Sequence, residues 1–144
     1  MENSAKPTVN PYLAFNGNCK EAMTFYHEAL GGELFVKAFG DGPMEIPDEH
    51  KDKIMYASLQ FGDAIIMASD TMPGHPAEQG SAVSISIASR DLKEAERFFS
   101  KLAEGGRITM PFEPAFWGAT FGMLTDKFGM KWMVKCETQE VEAE

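Results

Sequence analysis

The chain has 144 residues, 44% of them apolar and 11% aromatic, enough for one compact domain with a real core. Its net charge of −9 and pI near 4.8 repel phosphate backbones, and no basic stripe interleaved with aromatics offsets this, so nucleic-acid binding is excluded. No apolar run approaches the roughly 18 residues that would cross a membrane, and Met1–Pro7 lacks the basic-then-apolar order of a secretion signal. The expected setting is the cytoplasm, where Cys19 and Cys136 are read as ordinary thiols rather than a disulfide, with neither metal-site spacing nor a CxxC motif.

Residues 1–7 read as a frayed tail. The first strand is expected over Val9–Phe15. A helix follows from Asn18, whose short side chain suits an N-cap, with Ala22, Phe25, Tyr26, Ala29 and Leu30 on one face. Gly31-Gly32 ends it. Three strands are then expected, at Glu33–Phe39, Ile54–Phe61 and Ala64–Ser69, with a polar loop over residues 40–53.

A Pro- and Gly-containing linker over residues 71–80 leads to a second series of the same kind. Val83–Ala88 alternates as a strand. Asp91-Leu92-Lys93-Glu94-Ala95-Glu96-Arg97-Phe98-Phe99 repeats Asn18-Cys19-Lys20-Glu21-Ala22-Met23-Thr24-Phe25-Tyr26 at an offset of 73, with Lys, Glu, Ala and Phe in register. Ala95, Phe98, Phe99, Leu102 and Ala103 form its buried face, and Gly105-Gly106 ends it. Strands at Arg107–Met110, Ala119–Thr125 and Lys131–Cys136 complete the half, and residues 138–144 form an acidic tail. Phe61-Gly62 and Phe128-Gly129 each precede a final strand. The chain is therefore read as α+β, two tandem βαβββ modules (8–70 and 81–137) in a single domain over 8–137.

Strand parity sorts the two faces of each module. Val83, Ile85 and Ile87 are expected toward the helix, and Ser84, Ser86 and Ala88 away from it. Met55, Ala57 and Leu59 suit the core, leaving Tyr56, Ser58 and Gln60 on the other face. In the last strand Trp132 packs beneath the helix while Lys131, Met133 and Lys135 point away. Candidate ligand-binding residues are thus Tyr56, Ser58, Gln60, Ser84, Ser86 and Met133. Trp117 joins them as an aromatic at a cavity mouth or, alternatively, as a core or interface residue. No catalytic residue is assigned. There is no Gly-x-Ser-x-Gly elbow, and neither cysteine has a base beside it.

The residues from Asn18 to Gly32, Lys53-Ile54-Met55-Tyr56-Ala57, Phe61-Gly62-Asp63, Ser69-Asp70, Phe116-Trp117-Gly118, Phe121-Gly122 and Thr125-Asp126-Lys127-Phe128-Gly129-Met130-Lys131-Trp132 together carry a resemblance. The chain resembles the vicinal oxygen chelate superfamily of glyoxalases, ring-cleaving dioxygenases and bleomycin-resistance proteins. Within it the chain looks like the PhnB-like branch, also labelled 3-demethylubiquinone methyltransferase-like. The resemblance implies curved mixed sheets around a shared cavity (the glyoxalase/bleomycin-resistance-like fold), a homodimer, and in metal-dependent relatives a divalent ion held by His and Glu. Mapped here, those positions fall near Asn10 or Pro11, Ile66, Ser84 and Met133, none of them a His, Asp or Glu. Tyr56 replaces a His typical of the branch.

No metal and no cofactor is therefore expected, and no Gly-rich loop opens a helix after a strand to hold one. His27, His50 and His75 fall outside the strands and read as solvated or edge-packed, and Asp70 as a turn residue. The leading expectation is a small-molecule binding protein. The alternatives are an isomerase, lyase or dioxygenase with atypical metal ligands, a metal-free transferase with Tyr56 as acid or base, and an interaction module whose cavity is filled by side chains.

Overall fold

The structure is a computed structural model that describes residues 7–43, 45–72 and 74–137. The expected tails at 1–7 and 138–144 lie outside these residues, Pro7 apart. The chain divides into two compact units at Ala77/Glu78.

The first unit contains β1 (Tyr12–Phe15), α1 (Cys19–Leu30), β2 (Glu33–Ala38), β3 (Ile54–Phe61) and β4 (Ala64–Asp70). Its sheet has the order β1-β4-β3-β2. β1 lies parallel to β4, and the other pairings are antiparallel. The second unit contains β5 (Ile85–Ser89), α2 (Leu92–Ala103), β6 (Arg107–Pro114), β7 (Thr120–Thr125) and β8 (Lys131–Cys136). Its order, β5-β8-β7-β6, reproduces the same mixed topology. The two helices are each 12 residues long and begin 73 residues apart, at the offset read from the repeat.

Each helix covers one face of its own sheet. From α1, Ala22, Met23, Tyr26, Ala29 and Leu30 are buried against Ile54, Ala57, Leu59, Ile66 and Ala68. From α2, Ala95, Phe98, Phe99 and Leu102 meet Ile87, Leu124, Trp132 and Val134. At about 1.5–3 kcal/mol for each large side chain removed from water, each seam stabilises its own unit. Gly32 and Gly106 occupy equivalent places after the helices. A Cβ on Gly32 would strike the Gln60 carbonyl, and one on Gly106 the Thr125 carbonyl.

Several sequence expectations need correction. Val9 is exposed and β1 starts later, at Tyr12, because Pro11 has no N–H to give; its carbonyl still accepts from Met67 N–H (3.0 Å). Val83 does not face the helix but is 79% exposed. The β5 ladder begins at Ile85, opposite Trp132, so Val83 precedes the strand. β6 runs past Met110 to Pro114, since an edge strand with two register shifts accommodates Pro111. Met55 is half-buried rather than core. A bulge between Lys37 and Ala38 pairs them with Tyr56 and Ile54, skipping Met55, and Ile54 takes the core place.

The helix starts differ as well. Asp91 caps α2, accepting from Lys93 N–H (3.0 Å) and Glu94 N–H (3.2 Å). Asn18 makes no side-chain cap bond at α1. Asp70 serves that end from the last residue of β4. Its Oδ1 accepts from Gly17 N–H and Cys19 N–H (2.9 Å each), and its Oδ2 from Ile54 N–H (2.8 Å). The carboxylate is only 4% exposed, and a buried charge needs such donors. In the second unit Asp126, also buried, accepts from Phe128 N–H, Met130 N–H and Trp132 Nε1–H, fixing the β7–β8 turn under the core tryptophan.

Candidate ligand-binding faces

In each unit the face turned away from the helix carries the candidate residues. Across the first sheet the ladder aligns Tyr12, Met67, Ser58 and Phe35 in one row over all four strands. Beside it, Ala14 pairs with Ser69 and Lys37 with Tyr56, and Gln60 lies between Ile65 and Glu33. The central Met67, Ser58 and Tyr56 are half-buried, and the edge residues Tyr12 and Phe35 are exposed. The rings of Phe35 and Tyr56 lie 6.2 Å apart.

The second sheet has the equivalent row Ser86, Met133, Met123 and Met110. Next to it run Ala88, Lys135, Phe121 and Glu113. Trp117, in the turn before β7, lies edge-on to Phe121 at 5.7 Å and is 46% exposed. It is therefore not a core residue. Lys135 is drawn aside by Glu137 (3.5 Å).

Tyr56, Ser58 and Gln60 thus share one face of the first unit. Ser86 and Met133 share one face of the second, with Trp117 over the neighbouring Phe121. Ser84 precedes β5 and stands outside the ladder, half-buried. Sequence parity missed Tyr12, Phe35, Met67, Met110 and Met123. Met67 was hidden because β4 begins Ala64-Ile65-Ile66-Met67, apolar on both faces, which erases the alternation. Ile66 is 3% exposed, opposite Leu59 on the helix side, so it cannot stand where a ligand on the open face would. The residue there is Met67, twin of Met133.

His27 lies half-buried on α1, His50 lies 3.7 Å from Glu49, and His75 is exposed. Among the described residues no group of three or more His, Cys, Asp and Glu lies together as metal ligands would. Burial, and then the charge of Asp70, pushes the Cys19 thiol up to about 12; burial, then Asp91 and Glu137, raises Cys136. Both thiols are free and fully buried, so neither is placed as a nucleophile.

A model of the 3-demethylubiquinone-9 3-methyltransferase family matches residues 7–135. The chain belongs to this family. A crystal structure of protein PA1353 from Pseudomonas aeruginosa is 50% identical, superposes with a TM-score of 0.84, and aligns over 92% of this chain and 98% of that one. A Bacillus cereus PhnB protein, described as a putative 3-demethylubiquinone-9 3-methyltransferase, is 24% identical with a TM-score of 0.70, over 88% and 97% of the two chains. A glyoxalase/bleomycin resistance protein from Albidiferax ferrireducens shares the fold at 15% identity and a TM-score of 0.56, over 90% and 99%. The fold is that of the glyoxalase/bleomycin-resistance superfamily, and the family is its PhnB-like branch.

The donors on these faces do not fit the superfamily's divalent ion. The matched row positions carry Tyr12, Met67, Ser86 and Met133, which are phenol, hydroxyl and thioethers. Thioethers suit copper(I), not the harder ions of that chemistry. A methyl-donor cofactor held at a helix start is not supported either, because Asp70 already takes the Gly17 and Cys19 amides at the start of α1.

Proposed function

We propose that the protein binds a small, partly apolar organic molecule on the helix-free faces of its sheets, without a metal ion. The supporting observation is the pair of equivalent rows, Tyr12-Met67-Ser58-Phe35 and Ser86-Met133-Met123-Met110. Aromatic rings and thioethers offer stacking and adaptable apolar contact. Tyr56, Ser58 and Gln60 on the first sheet, and Ser86 on the second, each supply hydrogen bonds that orient a ligand on their own face. Homodimer formation belongs to the same reading, and the exposed Ile108 and Met110 on edge strand β6 favour it.

Thermal-shift screening of a metabolite library in the presence of EDTA tests the proposal, because a ligand selective for the native state raises its melting temperature. A compound that stabilises the wild type, and stabilises Tyr56→Phe or Ser58→Ala less, supports it. Stabilisation that appears only when a divalent metal is restored overturns it.

A further inference from the structure

We propose that the first unit carries a second binding site, for an amphipathic monocarboxylate, in the cleft between the 40–53 loop and the segment that follows β4. The site is separate from the sheet faces, and none of Tyr56, Ser58, Gln60, Ser84, Ser86, Trp117 and Met133 lines it. Its volume is about 510 Å³, within the range of small-molecule pockets.

The cleft is built, not left over from loose chain. At the base of the loop Phe39 N–H donates to the Lys53 carbonyl (2.9 Å) and Gly40 N–H to that of Lys51 (3.0 Å). On the other side Asn16 pins the chain after β4. Its Oδ1 accepts from Ala77 N–H (2.8 Å) and Thr71 Oγ1–H (3.1 Å), while its Nδ2 donates to the Ala77 carbonyl (3.2 Å). A segment read from the sequence as a linker is thus tied back to the β1–α1 turn. Between these walls Phe39, Ile46, Pro47, Met72 and Pro76 give a mainly apolar lining.

The charge at the cleft selects the head group. Lys53 is half-buried, and among the described residues it has no carboxylate at ion-pairing distance. Its Nζ lies against Gly17, close enough that a Cβ there would stand 3.0 Å away. A half-buried ammonium that makes no direct ion pair among the described residues is matched by a carboxylate, and charge-assisted hydrogen bonds are the stronger kind. Asp70, next to Thr71, accepts from three backbone N–H donors and makes no ion pair with Lys53. Among the described residues Glu45 is the one carboxylate on the lining, and it is exposed, so its repulsion is screened.

The test uses 4-phenylbutyrate, with 4-phenylbutanol and 4-phenylbutylamine as charge controls, followed by methyl NMR of Ile and Met side chains. Saturable shifts at Ile46 and Met72 are expected for the carboxylate, with weaker binding of the alcohol and none of the amine. Lys53→Gln should weaken 4-phenylbutyrate about tenfold while leaving the alcohol unchanged. Ile46→Trp, which fills the cleft from an exposed loop, should abolish both. Unchanged Met67 and Met133 resonances report that either variant is folded. No saturable binding of 4-phenylbutyrate, equal binding of the amine, no effect of Lys53→Gln, or shifts confined to Met67 and Met133 overturns the proposal. Shifts confined to those two would instead count for the sheet-face reading, so the two claims fail separately.

Discussion

Removing the Asp70 carboxylate should damage the first unit far more than removing the residue that occupies the N-cap of α1. Asp70→Asn keeps one oxygen for Gly17 and Cys19 but turns an amide NH₂ toward Ile54 N–H, which now donates to Oδ2 at 2.8 Å. One buried donor is left unsatisfied and two charge-assisted bonds become neutral, a loss of about 3 kcal/mol. Asp70→Ala removes all three acceptor contacts and should cost about 5 kcal/mol. Asn18→Ala loses no side-chain bond at the helix start and should stay within about 0.5 kcal/mol of wild type. Asp91→Ala, which removes a real cap from α2, should cost about 1 kcal/mol. Urea denaturation gives the four values, and amide exchange at Cys19 and Ile54 localises the Asp70 effect. Asp70→Asn with wild-type stability, or Asn18→Ala costing as much as Asp91→Ala, would show that Asp70 does not hold the start of α1.

Three further outcomes are expected. Gly32→Ala should destabilise by more than about 2 kcal/mol, since its φ is +85° and the new Cβ meets the Gln60 carbonyl. Gly31→Ala meets nothing within 4 Å and should cost only the backbone strain of φ +83°, ψ −156°, about 1–3 kcal/mol and less than Gly32→Ala; equal losses in chemical denaturation would contradict this. Cys19 and Cys136 should resist iodoacetamide in the native protein at mildly alkaline pH and react once unfolded, as followed by intact mass. Because the folded thiols titrate above their ordinary value of 9.0, the stability tied to them is full below that pH. It is lost as pH rises toward about 12 for Cys19. Tyr56→Phe should weaken ligand binding without altering the fold, and a ligand that is turned over by wild type but not by this variant would favour catalysis over binding.

The duplication was legible because helices report themselves locally. The Ala-Phe-aromatic spacing that defines α1 reappears at α2, and the buried faces follow that spacing, except that Phe25 and Ala103 are half-buried while Cys19 and Met23 are buried. The last strand was legible for the same reason, with Trp132, Val134 and Cys136 in and Lys131, Met133 and Lys135 out. What was hidden depends on distant partners. The group that serves the start of α1 comes from Asp70, 51 residues beyond Cys19. The bulge that displaces Met55 is set by β2, and the late start of β5, after Val83, by where β8 begins. Met67 was obscured by an apolar run without alternation. The 40–53 loop looked merely polar, because no local pattern announces that Asn16 ties the opposite wall in place.

The most direct test of the central claim is a methyl NMR titration of the metal-free protein, in EDTA, with the best ligand from the thermal-shift screen. Saturable shifts are expected at Met67, at Met133 or at both, the twin thioethers of the two rows, and they persist unchanged after exhaustive chelation. Binding that disappears with chelation and returns with one equivalent of a divalent ion, or that leaves both methyl groups unmoved, would contradict it.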